Sequence, residues 1–136
     1  MEYQRARGFT SAAPWLRLAA DWPTNNVESQ SRDPGSMLAL YRRLIALRRA
    51  QPALHRGTHE ALGTEGEVLA YARNCEGRRL VVLLNFGTTP APISPASMPS
   101  EPIVLASTDP ARAERIDGPL VLAPHEGVVL GTEEKP

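Results

Sequence analysis

Few residues in this chain have the types and spacing that chemistry requires. His55 and His59 stand four apart, the interval at which a helix aligns two ligands for one metal ion. Pro52 and Gly57 interrupt any helix there, and in extended chain four residues span about 13 Å, too far for a shared ion. No metal site is expected. Glu60, Glu65 and Glu67 supply carboxylates where a turn meets strand starts, but nearness along a β-rich chain does not pair two of them as acid and base. His125 follows Pro124 with no serine or cysteine in a motif that would make it a general base, so it reads as solvated. Cys75 lies beside Glu76-Gly77, a turn composition, and no low-pKa setting for its thiol is evident. Trp15 and Trp22 carry the remaining candidate chemistry, since an indole face suits the apolar face of a pyranose ring. The commoner use of such a residue is to fix an irregular segment by burial. No phosphate-cradling glycine loop, zinc spacing, nucleophile elbow or glycosylation sequon occurs, and no cofactor is implied.

The element that must organise these residues is an amphipathic stretch, Asp33 to Ala50. Met37, Leu38, Tyr41, Leu44, Ile45 and Leu47 recur at three-and-four spacing, while Arg42, Arg43, Arg48 and Arg49 crowd the other side, which predicts a helix with one apolar face. Asp33 is the expected N-cap and Pro34 the expected first helical residue. Pro52 ends the helix, because the residue before a proline leaves helical geometry. Residues 1–32 show no sustained period and read as an irregular N-terminal segment, too apolar at Phe9, Trp15, Leu16, Leu18 and Trp22 to be a solvated linker.

Downstream, 54–65 reads as extended. Val68 to Arg73 and Leu80 to Phe86 form a hairpin around Asn74-Cys75-Glu76-Gly77, and the second run, apolar on both alternating sets, reads as a central strand. Pro90, Pro92, Pro95 and Pro99 confine their region to an edge or loop. Three further short runs, 103–105, 120–122 and 127–130, complete about six strands, and 133–136 reads as a disordered tail. The fold class is therefore mainly β, an antiparallel, Greek-key-like β-sandwich preceded by one amphipathic α-helix and an irregular segment. The expected divisions are 1–32, the helix at 33–52, the sandwich at 53–132 and the tail at 133–136.

The 136 residues are 42% hydrophobic, enough for one domain with a packed core. Fifteen basic residues balance fifteen acidic ones, so no long-range field gathers nucleic acid or an anionic membrane, and neither is an expected partner. The single cysteine excludes an internal disulfide and suits a reducing cytoplasm. With no signal-like or membrane-spanning run, a soluble, cytoplasmic protein is expected.

Several stretches taken in order resemble the C-terminal end of α-glucosidases and oligo-1,6-glucosidases of the α-amylase superfamily, glycoside hydrolase family 13. They are Gly8-Phe9-Thr10 with Pro14-Trp15-Leu16, Asn26-Val27-Glu28-Ser29-Gln30, Asp33-Pro34-Gly35-Ser36 running into Tyr41 to Arg48, then Leu69-Ala70-Tyr71, Val81 to Phe86, and Pro124 to Leu130. The resemblance implies a catalytic (β/α)8 barrel as partner, with 33–50 as its last helix and about 53–132 as the C-terminal sandwich. It also places the three catalytic carboxylates in barrel segments that would precede Met1, so none is carried over. The Pro-Met-Gln-Trp segment usual before the glycine-phenylalanine pair is replaced by Tyr3-Gln4-Arg5-Ala6-Arg7. Retaining hydrolysis needs two carboxylates about 5 to 5.5 Å apart across the glycosidic bond, which this chain has no framework to hold. The implied role is structural and non-catalytic. With no barrel beside it, the helix face would pack on the sandwich or form a homodimer; the alternative is a stand-alone carbohydrate-binding or protein-interaction β-domain, with Trp15, Trp22 or Tyr71 as a stacking surface for an oligosaccharide.

Overall fold

A computed structural model of the chain describes residues 15, 16, 19–22 and 24–132; the expected tail at 133–136 lies outside them. The chain divides into two compact units, 1–40 and 41–136.

In the first unit, a short helix occupies the segment expected to be irregular: α1, Val27–Arg32. Polar side chains start it where apolar periodicity gives no signal. Asn26 Oδ1 accepts from the Ser29 amide at 2.9 Å, and Ser29 Oγ accepts from the Asn26 amide at 3.2 Å, a reciprocal cap that satisfies two otherwise orphan donors. Asp33 closes α1 instead of opening the next helix. Its Oδ1 accepts from the Gly35 amide at 2.8 Å, and its carbonyl accepts from Ser36 N at 3.1 Å, so Asp33-Pro34-Gly35-Ser36 folds as a turn with proline at its favoured second position. The long helix α2 then runs Met37–Ala50. Ser36 caps it, its Oγ accepting from Ala39 N at 3.2 Å, while Gln30 Oε1 accepts from Leu38 N at 3.0 Å. The expected Asp33 cap is thereby corrected: the serine oxygen reaches the third amide of the helix, and Pro34 with Gly35 makes a better turn than a first helical turn.

No residue of α2 is fully buried. Its apolar face is unevenly covered: Leu44 and Leu47 are half-buried, but Met37, Tyr41 and Ile45 are 61%, 59% and 48% exposed. After Gln51 a one-turn helix follows, α3, Pro52–Arg56, at the start of the segment expected to be extended. Pro52 stops α2 as expected, yet its fixed φ also suits the first position of a new turn. Gly57 ends α3 because nothing larger fits: a Cβ there would lie 2.4 Å from the Ala53 carbonyl and 2.8 Å from that of Asn74.

The remainder is antiparallel β-structure. The strands are β1 Thr58–Glu65, β2 Val68–Cys75, β3 Arg78–Asn85, β4 Ala91–Pro92, β5 Pro102–Ser107, β6 Val121–Leu122 and β7 Gly127–Thr132. Five form a sheet in the order β1-β2-β3-β7-β5, and β4 pairs with β6 in a second ribbon. The β2–β3 hairpin turns on Glu76 and Gly77, with φ of 50° and 79°, the left-handed pair that matches strand twist in a two-residue connection. β3 is the central strand, buried on both faces. β4 contains Pro92, which only a short edge strand tolerates.

The sandwich core lies between the two sheets. Val68, Ala70 and Ala72 of β2, Val81 and Leu83 of β3, and Val128 and Leu130 of β7 cluster with Ile93, Leu120 and Leu122 from the ribbon side. Each large side chain fully withdrawn from water contributes about 1.5–3 kcal/mol, so this face holds most of the apolar burial. The opposite face carries Leu80 and Val82, buried, and Leu84, half-buried.

Candidate functional site

That opposite face opens into a groove of about 540 Å³ within the second unit. Its floor is Val82, Leu84 and Val129, at alternating positions of neighbouring strands, and Leu44, Arg48 and Leu54 form a wall from α2 and α3. His59 and Tyr71 stack at one side, ring centroids 5.2 Å apart and planes 26° from parallel. Two guanidinium groups tie α3 down: Arg73 Nε of β2 donates to the Ala53 carbonyl at 3.2 Å, and Arg48 Nη1 of α2 donates to that of Leu54. No acidic side chain lines the groove.

The histidines that suggested a metal pair fall on different elements, His55 on α3 and His59 on β1. Among the described residues no three His, Cys, Asp or Glu side chains gather as a metal site. Cys75 is a free, half-buried thiol at the end of β2. Glu60, on β1, is bound by Arg79 through both carboxylate oxygens and accepts from Asn74 Nδ2 at 3.0 Å. The bonds from Arg79 first, then Asn74, hold its carboxyl below the ordinary value. Glu65 ends β1 and Glu67 lies in the following turn, its carbonyl accepting from Phe86 N. His125 adopts φ 58° in the turn before β7, where its amide donates to the Gly87 carbonyl at 3.2 Å. Trp15 and Trp22 belong to the first unit; Trp15 is 91% exposed and Trp22 half-buried.

The strongest polar constellation was not legible beforehand. Glu126, 2% exposed, accepts at Oε1 from Ser107 Oγ at 2.9 Å and Arg112 Nε at 2.7 Å, and at Oε2 from Ala123 N at 2.7 Å and Arg112 Nη2. Burial pushes its carboxyl upward, but Arg112, the Ala123 amide and the Ser107 hydroxyl outweigh that and leave it below the ordinary value. Beside it, the buried Asn85 donates to the Thr89 and Ala123 carbonyls and accepts from Gly87 N. The bonds of this cluster run to the protein's own strand ends and loops, which marks it as a clamp that joins Ser107 at the end of β5 to the turn before β7. In sequence Glu126 sits in Pro-His-Glu-Gly, a composition that suggests solvent; only its spacing from the apolar Val128 and Leu130, on the same strand face, hints at an inward carboxylate.

Comparison with known proteins places this architecture. A family model of the α-amylase catalytic domain matches residues 1–57, and one of a domain of unknown function, DUF3459, matches residues 54–129. With more than half of its length in the second match, the chain belongs to the DUF3459 family, as the C-terminal region of an α-amylase-superfamily protein. A trehalose-6-phosphate hydrolase of Bacillus subtilis is 33% identical over 129 residues, covering 90% of this chain and 22% of the relative. A probable α-glucosidase of Rhizobium meliloti is 38% identical over 79 residues, 58% of this chain and 14% of the relative. Among solved structures, isomaltulose synthase from Klebsiella sp. LX3 superposes with a TM-score of 0.78 at 27% identity, over 91% of this chain and 22% of that one. The chain thus spans less than a quarter of the length of these relatives, in which the domain sits with the catalytic barrel. No helix among the described residues is long and apolar enough to cross a membrane.

Proposed function

We infer that this chain is the non-catalytic C-terminal part of an α-glucosidase-like glycoside hydrolase acting on α-glucosidic bonds of oligosaccharides. Its role is structural: the stretch 33–52 carries the last barrel helix, as α2 at Met37–Ala50, and 53–132 carries a sandwich that packs on the barrel. One observation carries the reading. The catalytic-domain match ends at residue 57 and the DUF3459 match begins at residue 54, so the two meet within α3, between the long helix and the sheet. The exposure of Met37, Tyr41 and Ile45 supports it, since three large apolar side chains at four-residue spacing on a helix need a covering surface. A cytoplasmic setting fits the free thiol of Cys75.

The test is a chimera in which this chain replaces the matching stretch of the Bacillus subtilis hydrolase. A soluble, active chimera is expected. An aggregated or inactive one, with this chain folded and monomeric by itself and its α2 amides protected, overturns the structural role. A second reading, sugar binding at Trp15 assisted by Trp22, is favoured by the exposed Trp15 indole. Saturable tryptophan quenching by maltose or isomaltose, lost in Trp15→Ala, decides for it; an unchanged emission decides against.

A further inference from the structure

We propose that the bend at Asp117-Gly118 is a self-modification site, where the folded chain converts Asp117 to isoaspartate through a cyclic succinimide, and that this conversion loosens the ribbon covering the core face of the sheet. Ring closure needs an aspartate or asparagine side chain, an unhindered amide on the next residue, and a main chain that lets the two meet. Asp117 is the only aspartate or asparagine in the chain that is followed by glycine. The others are blocked or held. Pro34 and Pro110 leave Asp33 and Asp109 with no N–H beside them to attack the carboxyl. Asp21 accepts from Asn25 Nδ2 at 3.0 Å, Asn26 caps α1, Asn74 donates to Glu60, and the buried Asn85 amide is bonded through both its nitrogen and its oxygen. Asp117 and Gly118, by contrast, are exposed. No hydrogen bond or ion pair with another described residue engages the Asp117 carboxylate or the Gly118 amide. Gly118 has a φ of 103° and open space where a Cβ would stand, so nothing opposes the approach of its nitrogen to the side chain.

The step balances with water alone. The Gly118 nitrogen bonds to Cγ of Asp117 in its acid form, and the amide hydrogen leaves with the carboxyl hydroxyl as one water molecule. Water then reopens the ring. Attack at Cγ restores aspartate, whereas attack at the Asp117 main-chain carbonyl leaves Gly118 joined through Cγ; the main chain gains a methylene and the carboxylate moves onto it. The surroundings make that gain felt. Before the bend, Ile103 is bridged to Arg115 and the Val104 amide donates to the Glu114 carbonyl at 2.7 Å. After it, Leu120 is 1% exposed and its carbonyl accepts from Ile93 N at 2.9 Å. Between these anchors stand only residues 116–119, so the added length falls on a short span that ends at a buried leucine, and in a close-packed core the strain passes to the bond between Ile93 and Leu120.

The test ages the full chain near neutral pH, below its melting temperature, and maps it with an endoproteinase that cuts before aspartate but not before isoaspartate. Resistance is expected to accumulate at Asp117 and not at Asp21, Asp33 or Asp109. In parallel, an isoaspartyl methyltransferase is expected to place a labelled methyl group from its sulfonium donor on the aged chain. Asp117→Glu, whose ring would be one atom larger, loses that methyl acceptance; Asp117→Asn, from which ammonia leaves in place of water, raises it several-fold. Conversion that appears only after unfolding in urea, or resistance at another aspartate with none at Asp117, overturns the proposal. For the consequence, aged native chain is compared with fresh chain and with aged Asp117→Glu. A lower melting midpoint and faster exchange of the Ile93 amide are expected in the aged native chain alone; an unchanged midpoint and exchange overturn the loosening of the ribbon.

Discussion

The two faces of the five-stranded sheet are made by the same strands, yet they are finished in different ways. On one face, Val81, Leu83, Val128 and Leu130 disappear beneath a cover whose regular elements are two-residue strands and a single 3-10 turn at Pro95–Ser97. On the other, residues one position along, Val82, Leu84 and Val129, line an open groove. Strand composition does not distinguish them, since β3 is equally apolar on both sides. What differs is the cover: Ile93, Leu120 and Leu122 come from the short β4–β6 ribbon and its proline- and glycine-containing connections, while the second face receives only the single turn of α3 and a few side chains of the 41–50 stretch at its groove wall. One face thereby supplies stability, and the other retains surface for recognition.

That contrast can be broken in order of expected effect. Leu83→Ala on the sealed face should cost about 3 kcal/mol in denaturant unfolding, the lost transfer energy plus an unfilled cavity. If its cost equals that of Leu84→Ala on the groove face, expected at about 1 kcal/mol because Leu84 is only half-buried, the two faces do not differ as described. Between them falls Glu126→Gln, at about 2–3 kcal/mol, since it leaves Arg112 and its neighbours without their anion. The smallest effect belongs to Arg79→Gln, which removes an exposed ion pair with Glu60 and should leave the unfolding midpoint within error. A large loss there would mean that the β1 edge is held by charge.

Acid sharpens the assignment of Glu126. Its folded carboxyl titrates below the ordinary 4.5, so its contribution is fully present above that value and is lost as pH falls through the lowered folded value. The stability gap between the native chain and Glu126→Gln should therefore be constant near neutrality and close under acid. A gap that widens with acid would mean that Glu126 is held protonated.

Much of the sheet was legible in the sequence because its signals are local. Glu76-Gly77 between two apolar runs announces the β2–β3 hairpin, and a run apolar on both alternating sets announces the centre. The long helix announced itself by period, but not where it begins, because Asp33 and Ser36 are both competent caps and only the turn at Pro34-Gly35 decides between them. α1 escaped notice since its stability comes from the exchange of bonds between Asn26 and Ser29, not from an apolar stripe. α3 was hidden by reading Pro52 only as a stop. The groove was beyond reach for a different reason: its residues run from 44 to 129, and nothing in any one stretch declares that Arg48, Tyr71 and Val129 will line one space. Of the candidates drawn from residue type, the histidine pair separated onto two elements, and the tryptophans remain a proposal for sugar titration.

The strand order has a temporal meaning as well. β5 adjoins none of the strands made before it; its place in the sheet is against β7, which also flanks β3. As the polypeptide emerges from the ribosome, β1, β2 and β3 can zip together at once through short turns, while β5 must wait, its edge unsatisfied, until residues 127–132 arrive and slide in between. The last strand delivered is thus a keystone, and a nascent chain stalled a few residues short of it would leave two open edges and a half-covered core for chaperones or proteases to find.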